Sequence, residues 1–259
     1  VACDPDERVL YLTEDSDGGQ LYRFRPARWE DLTEGVLEAA STDETTGAVA
    51  WVAPDDERAT TYAGGEGIAF HAGKVVFTTK SDQRIREYDV RTAHMRVLHE
   101  PGQEPEIVGP DNITISNSSD LYVCEDTEHE QDLVLLGADG SRTQVLRCVG
   151  HDDSELAGAA FDPSGTRMYL SSQRAGEGGG GITYEVTGPF RQLTAASASS
   201  TTTAQPGEAA PARRSDPTGG APADDEFPVV PVAGGVAVAA VAVVGGLAWW
   251  RHQRGTATP

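Results

Sequence analysis

Acidic side chains recur at two corresponding places in this 259-residue chain, and their types suit a hard metal cation. They either directly precede an apolar segment or directly end one. The candidate ligands are Glu14, Glu66, Asp111, Asn112, Glu125 and Asp126. Calcium takes about six to eight oxygen ligands from carboxylates, amides and water. Carboxylates that converged without a cation would repel one another, so a fold that gathers these residues predicts a metal site.

Two residues of this pattern are distinctive. Glu66 lies between glycines in GGEGI, directly before an apolar strand, where no turn or capping role favours glutamate. Lys80 stands at a strand end among the acidic positions, so it is the candidate catalytic residue, able to hold an anion beside the metal. A solvated strand-end lysine is the alternative. Asp111 and Asp126 likewise have an alternative as turn-capping residues.

A repeated hairpin is the element that must position these side chains. Residues 1–15, 67–80, 112–126 and 158–173 each contain an apolar strand, a tight polar turn and a second strand. Such a repeat at regular spacing indicates an all-β fold of radial type, most simply a β-propeller. Propellers usually have about four to eight blades of four strands each, and the first repeat here lacks the first strand of its blade, so we expect this ring to be partial.

The second strand of each repeat is expected to pair with the strand that follows it. The expected pairs are 9–13 with 21–24, 74–79 with 85–90, 121–125 with 133–136, and 168–172 with 182–186. Residues 28–60 have no strong period and are interpreted as an insertion. We expect a short helix over 29–39 there, and a strand near 49–52.

Composition limits the possible partners and cross-links. A formal net charge of -21 argues against nucleic-acid binding, which needs clusters of lysine and arginine. The three cysteines form no recognisable framework, so one disulfide remains possible and its pairing open. Cys124, in the middle of a strand, is expected to be a small core residue.

The C-terminal quarter of the chain predicts a tether. Residues 191–227 are rich in Ala, Ser, Thr and Pro and are expected to form a disordered linker. Residues 228–250 carry no charge and are long enough to span a bilayer as a helix. The basic residues just after them predict a cytoplasmic tail at 251–259. We therefore expect residues 1–190 to lie outside the cell, anchored to the cell membrane.

Several short segments resemble the PhoX-type alkaline phosphatase family of secreted bacterial proteins. They are GGEGI, PDNI, LYVCED, YLTED, LYRF, FTTK and ITYEVTGPF, and together they cover residues 1–190 in order. The resemblance implies a six-bladed propeller when complete, with a calcium and iron cofactor on its axis. It makes Glu66 a calcium ligand and places Glu14, Glu125, Asp111 and Asn112 in the acidic segments of the family.

The resemblance also shows departures. The basic residue that often precedes the family's GEG glutamate is replaced here by Tyr62, Ala63 and Gly64. The family's cysteine iron ligand belongs to its first half, so Cys124 does not correspond to it.

Three functions compete on this basis. The first is a tethered, metal-dependent phosphatase that acts as a monomer on small phosphate esters. The second is a non-catalytic, metal-stabilised surface propeller that binds a partner. The third is a calcium-dependent lactonase-type propeller. The metal content separates them, because they require calcium with iron, structural calcium alone, and one divalent ion respectively.

Overall fold

The computed structural model describes residues 1–103, 106–127, 131–151, 154–174 and 180–191, which form an all-β fold. The described residues lie within the first of two compact units, Val1–Thr203. The strands are β1 (Ala2–Asp4), β2 (Val9–Leu12), β3 (Tyr22–Arg28), β4 (Asp31–Thr42), β5 (Val49–Val52), β6 (Gly65–His71), β7 (Lys74–Thr79), β8 (Arg84–Asp89), β9 (His94–His99), β10 (Pro110–Ile115), β11 (Leu121–Glu125), β12 (Gln131–Leu136), β13 (Arg142–Cys148), β14 (Leu156–Phe161), β15 (Arg167–Ser172) and β16 (Ile182–Thr187).

The strands form four antiparallel sheets in which chain neighbours are also sheet neighbours. Sheet 1 contains β1–β5, sheet 2 β6–β9, sheet 3 β10–β13 and sheet 4 β14–β16. All four predicted hairpin pairings are confirmed. Tight turns explain the local pairing: at Ala72-Gly73, both residues have positive φ, and His71 pairs with Lys74 across the turn.

Apolar side chains pack between each sheet and the next. Tyr11 of sheet 1 shares a core cluster with Phe77 of sheet 2. Val76 of sheet 2 packs with Val123 of sheet 3 in a second cluster. Cys124 packs among the residues of a third cluster, between sheets 3 and 4, as expected for a core cysteine. Burying each large side chain stabilises the fold by about 1.5–3 kcal/mol, so face-to-face packing holds the sheets in chain order.

The first strands of successive sheets approach one another, with β1 near β6, β6 near β10, and β10 near β14. Each of β6, β10 and β14 carries a bulge near its start, between Gly65 and Ile68, Pro110 and Ile113, and Ala157 and Ala160. A bulge re-aims side chains and backbone groups that a regular ladder would engage. The bulges of β6 and β10 contain Glu66 and Asp111.

The predicted helix over 29–39 is wrong, because these residues belong to β4 and the turn before it. Leu37 of β4 pairs with Phe24 of β3, and Ala40 pairs with Trp51 of β5. Pairing on both sides outweighs the helical preference of Leu, Glu and Ala in this segment. The predicted strand near 49–52 is confirmed as β5.

No helix in the described part of the chain is long and apolar enough to cross a membrane. The predicted span at 228–250 and tail at 251–259 lie outside the described residues, as does the predicted linker beyond Arg191.

Alanine at Gly67 is expected to destabilise the fold by about 1–3 kcal/mol, because the added methyl group would overlap backbone. A Cβ there would lie 2.6 Å from the Ile113 amide nitrogen and 2.7 Å from the Asp111 carbonyl oxygen. Urea unfolding measures the loss. Gly18→Ala is the control, because a Cβ at Gly18 meets nothing within 4 Å. Equal stability of the two variants would contradict close approach of β6 and β10.

Candidate metal centre

Three carboxylates from sheets 3 and 4 converge at one end of the first strands. One carboxylate oxygen from each of Asp111, Asp126 and Glu155 lies within 4.8 Å of the other two. Asp111 sits in the bulge of β10, Asp126 directly follows β11, and Glu155 directly precedes β14. We call these three residues the acidic triad.

An equivalent backbone hydrogen bond recurs beside this group in three sheets. The amide after the second strand donates to the carbonyl just before the first strand. The bonds are Lys80 N to Gly64 O at 2.8 Å, Asp126 N to Gly109 O at 2.9 Å, and Gln173 N to Glu155 O at 3.0 Å. Lys80 and Asp126 are donors in this repeated bond and Glu155 is an acceptor. The bond therefore lies at the same end of each of the three sheets and places these residues there.

Lys80 neutralises part of the acidic triad. Its ammonium group donates to Asp111 Oδ2 at 3.4 Å and also to Asp126. Burial alone would lower the pKa of Lys80, but the bond to Asp126 and the charges of Asp111 and Glu66 raise it above its ordinary value. Lys80 is therefore a cation at neutral pH.

The ionised form of Asp111 remains unfavourable despite this ion pair. Its burial, together with the charges of Glu155 and Asp126, raises its pKa to about 6, and Lys80 opposes the shift only in part. A divalent cation would favour the ionised form and relieve the repulsion.

Glu66 faces the same group from sheet 2. Burial, with the charges of Asp111 and Asp15, raises the pKa of Glu66 to about 7, while Lys80 opposes the rise. Among the described residues, no hydrogen bond or ion pair engages the Glu66 carboxyl group. Its oxygens are thus open to a further ligand, although Glu66 is not one of the three residues whose oxygens converge within 4.8 Å.

The structure does not bring Glu14, Glu125 or Asn112 into the triad. The exposed Glu14 accepts a hydrogen bond from the Tyr22 hydroxyl at 2.6 Å. The buried Glu125 accepts from Arg142 Nη2 at 2.6 Å and from the Val108 amide at 3.0 Å. Asn112 Oδ1 accepts from the Ala159 amide at 3.1 Å, which joins β10 to β14. Each of the three has a structural partner on at least one side-chain oxygen.

Glu155 is a member of the triad that the sequence did not single out. In the repeat it takes the position of Gly64 and Gly109, both of which have positive φ. The equivalent positions of the other two repeats therefore carry no acid. The sequence feature that could have identified Glu155 is an acid at the start of an apolar strand, as for Glu66 and Asp111. Glu155 lies just before its strand, whereas Glu66 and Asp111 are the second residues of theirs.

The donor set fits a hard divalent cation. The triad offers only carboxylate oxygens, which calcium, magnesium and manganese prefer, and water can complete the shell. No cysteine or histidine belongs to the group found among the described residues. Cys124 lies in the core cluster between sheets 3 and 4 and is not a member of the group, and burial raises the pKa of its thiol to about 12.

Comparison with known proteins shows the fold alone. No family model and no curated protein matches the chain. Pseudomonas fluorescens PhoX, solved in complex with the transition-state analogue vanadate, is 14% identical with a TM-score of 0.51, over 66% of this chain. The match spans only 47% of the PhoX chain. Agrobacterium tumefaciens regucalcin, a calcium-binding protein, is 17% identical with a TM-score of 0.36, over 71% of this chain and 74% of its own. The described part of this chain therefore has a propeller-like, all-β fold.

Proposed function

We propose that this protein is a metal-dependent phosphatase, an extracytoplasmic monomer that hydrolyses small phosphate esters and is tethered to the cell membrane. The observation that carries the proposal is the convergence of Asp111, Asp126 and Glu155 within 4.8 Å, beside Lys80. The choice of phosphate esters rests on the resemblance of GGEGI and PDNI to the PhoX-type family. The location rests on residues 228–250.

The acidic triad would hold the cation, with Glu66 available as a further oxygen donor. Calcium suits these ligands best, and iron is proposed from the family resemblance. A cation held there would supply Lewis-acid polarisation of a phosphoryl oxygen. Without a cation, the net negative charge of the group would repel a phosphate ester.

Lys80 has the role of binding substrate. Its ammonium group lies against Asp111 and Asp126 and is about one-third exposed. When a cation takes up the charge of these carboxylates, Lys80 Nζ can donate to a phosphoryl oxygen instead. A charge-assisted bond of this kind orients the ester and stabilises charge on its oxygens.

One observation favours a non-catalytic, metal-stabilised surface propeller as the second candidate. Lys80 already pairs with two members of the triad, so an internal cation partly balances the acids. In that case the centre would be structural, and function would depend on a binding partner.

Elemental analysis of the full chain, purified without chelators, tests the proposal together with hydrolysis of p-nitrophenyl phosphate. We expect calcium with iron, and turnover that EGTA abolishes. Glu66→Gln should reduce turnover about 10-fold by removing a charged oxygen donor. Glu57→Gln, at an exposed acid away from the centre, should leave turnover unchanged.

The other outcomes identify the competing functions. One divalent ion without iron, with hydrolysis of a lactone but not of the phosphate ester, would establish a lactonase-type propeller. Calcium alone without turnover would favour the surface propeller. Absence of any metal would overturn the metal centre itself.

A further inference from the structure

We propose that Arg174 binds the anionic group of the substrate together with Lys80, and that this binding requires the divalent cation. The inference rests on the proposed function and assigns a substrate-binding residue in sheet 4. Arg174 lies two residues beyond β15. Its Nη2 is 3.4 Å from Glu155 Oε2, and its side chain is 49% exposed.

Every member of the acidic triad is paired with a basic side chain. Lys80 contacts Asp111 and Asp126, and Arg174 contacts Glu155. The two basic groups therefore reach the same cluster from sheets 2 and 4. Arginine adds a planar fork of donors that matches two oxygens of a phosphate group, which a lysine cannot do.

Buried hydroxyl groups hold the backbone of Arg174 beside the cluster. The Arg174 amide donates to Ser154 Oγ at 2.9 Å, and the Ser172 hydroxyl donates to the same oxygen at 2.7 Å. Both serines are buried. His151 Nδ1 lies 2.9 Å from Ser172 Oγ and completes the chain. Because Ser154 precedes Glu155 directly, one hydroxyl fixes the arginine next to its carboxylate partner.

The charges of the group explain why the cation is required. Five carboxylates, those of the triad, Glu66 and the neighbouring Asp15, face two basic groups, which leaves three net negative charges when all are ionised. A divalent cation would offset most of this charge and weaken the hold of the carboxylates on Lys80 and Arg174. An anion could then bind both. By linkage, the anion should strengthen cation binding by the same factor.

Calorimetric titration of the full-length protein with inorganic phosphate tests the inference. With calcium present, Arg174→Gln should bind phosphate at least about 10-fold more weakly than wild type, while its calcium affinity measured without phosphate does not fall, because Glu155 loses a competing basic partner. Arg174→Lys should recover part of the loss. Arg167→Gln is the matched control, because Arg167 is an exposed arginine of β15 paired with Glu185. With EGTA, wild type should bind no phosphate.

Two outcomes would overturn the inference and leave the metal centre intact: equal phosphate affinity in Arg174→Gln, or equal affinity with and without calcium. Failure of wild type to bind calcium would overturn the proposed function, and this inference with it. A double-mutant cycle adds a test of positioning. Ser154→Ala should weaken phosphate binding in wild type but have no further effect in Arg174→Gln. Additive losses would contradict positioning through Ser154.

Discussion

Asparagine in place of Asp111 is expected to weaken calcium binding by about 100-fold or more, and to reduce phosphate-ester hydrolysis at least as much. Loss of an outer-shell partner typically costs about 10–100-fold in metal affinity, and loss of a charged ligand should cost no less. Asp111 is buried within 4.8 Å of the other two acids of the triad, so solvent cannot replace its charge. Calcium titration calorimetry measures the affinity, and p-nitrophenyl phosphate measures turnover.

The same substitution should stabilise the calcium-free protein. Burial and neighbouring carboxylates raise the pKa of Asp111, which means that its charge is unfavourable in the folded state at neutral pH. Asparagine removes that charge with little change in shape. The calcium-free melting temperature should therefore rise while the calcium-induced increase disappears. Opposite signs of these two effects are typical of a site that sacrifices stability for binding.

Asp139→Asn provides the control for this prediction. Asp139 accepts a hydrogen bond from the Ser141 amide at 3.0 Å in the turn between β12 and β13, and lies outside the triad. It should leave calcium binding unchanged. If Asp111→Asn also bound calcium normally, the acidic triad would not be a calcium site.

The sequence predicted the hairpins because each depends on neighbouring residues. Alternation and a tight turn, as at Ala72-Gly73, determine the pairing of β6 with β7 locally. The sequence does not predict the long strand β4, because its conformation depends on pairing with β3 and β5 at once. Its own residues, with Leu37 and Glu38 among them, have strong helical propensity. The sequence of this segment alone does not show that two neighbouring strands pair with it.

The candidate site could be predicted in part for the same reason. Aligning the repeats places Asp111 ahead of a first strand and Asp126 at the end of a second strand, and the structure brings these two together. Alignment could not reveal Glu155, because the equivalent positions in sheets 2 and 3 are the glycines Gly64 and Gly109. It also could not separate Asp126 from Glu125, since adjacent strand residues point to opposite faces. The positions of Arg142 and of the Val108 amide, each 17 residues away along the chain, show where Glu125 is engaged.

Methionine in place of Arg142 is expected to lower the free energy of unfolding by about 3–5 kcal/mol, because removing one partner leaves buried charge uncompensated. Arg142 Nη2 lies 2.6 Å from Glu125 and 3.2 Å from Asp132, whose side chains are only 4% and 3% exposed. Arg147 Nε lies 2.8 Å from Asp132 Oδ1 and can still balance that carboxylate in the variant, so Glu125 loses most. Urea unfolding at pH 7 measures the difference.

The difference in stability between wild type and Arg142→Met should depend on pH in a definite direction. The hydrogen bond from Arg147, with that from Arg142, lowers the pKa of Asp132 below its ordinary value. A lowered folded-state pKa contributes stability that is present above the unfolded value of about 3.9 and is lost as the pH falls through the folded value. The advantage of wild type over Arg142→Met should therefore shrink below about pH 4. A difference that stayed constant in acid would argue against a charge effect.

Arg58→Met provides the stability control and Glu125→Gln the functional one. Arg58 pairs with Asp56 at 2.7 Å but is 68% exposed, so solvent screens the pair and its loss should change stability little. Glu125→Gln should destabilise the protein yet leave calcium affinity unchanged, since Arg142 and the Val108 amide already occupy its carboxylate. A large loss of calcium affinity in Glu125→Gln, without loss of stability, would instead return Glu125 to the metal centre and require Arg142 to release it.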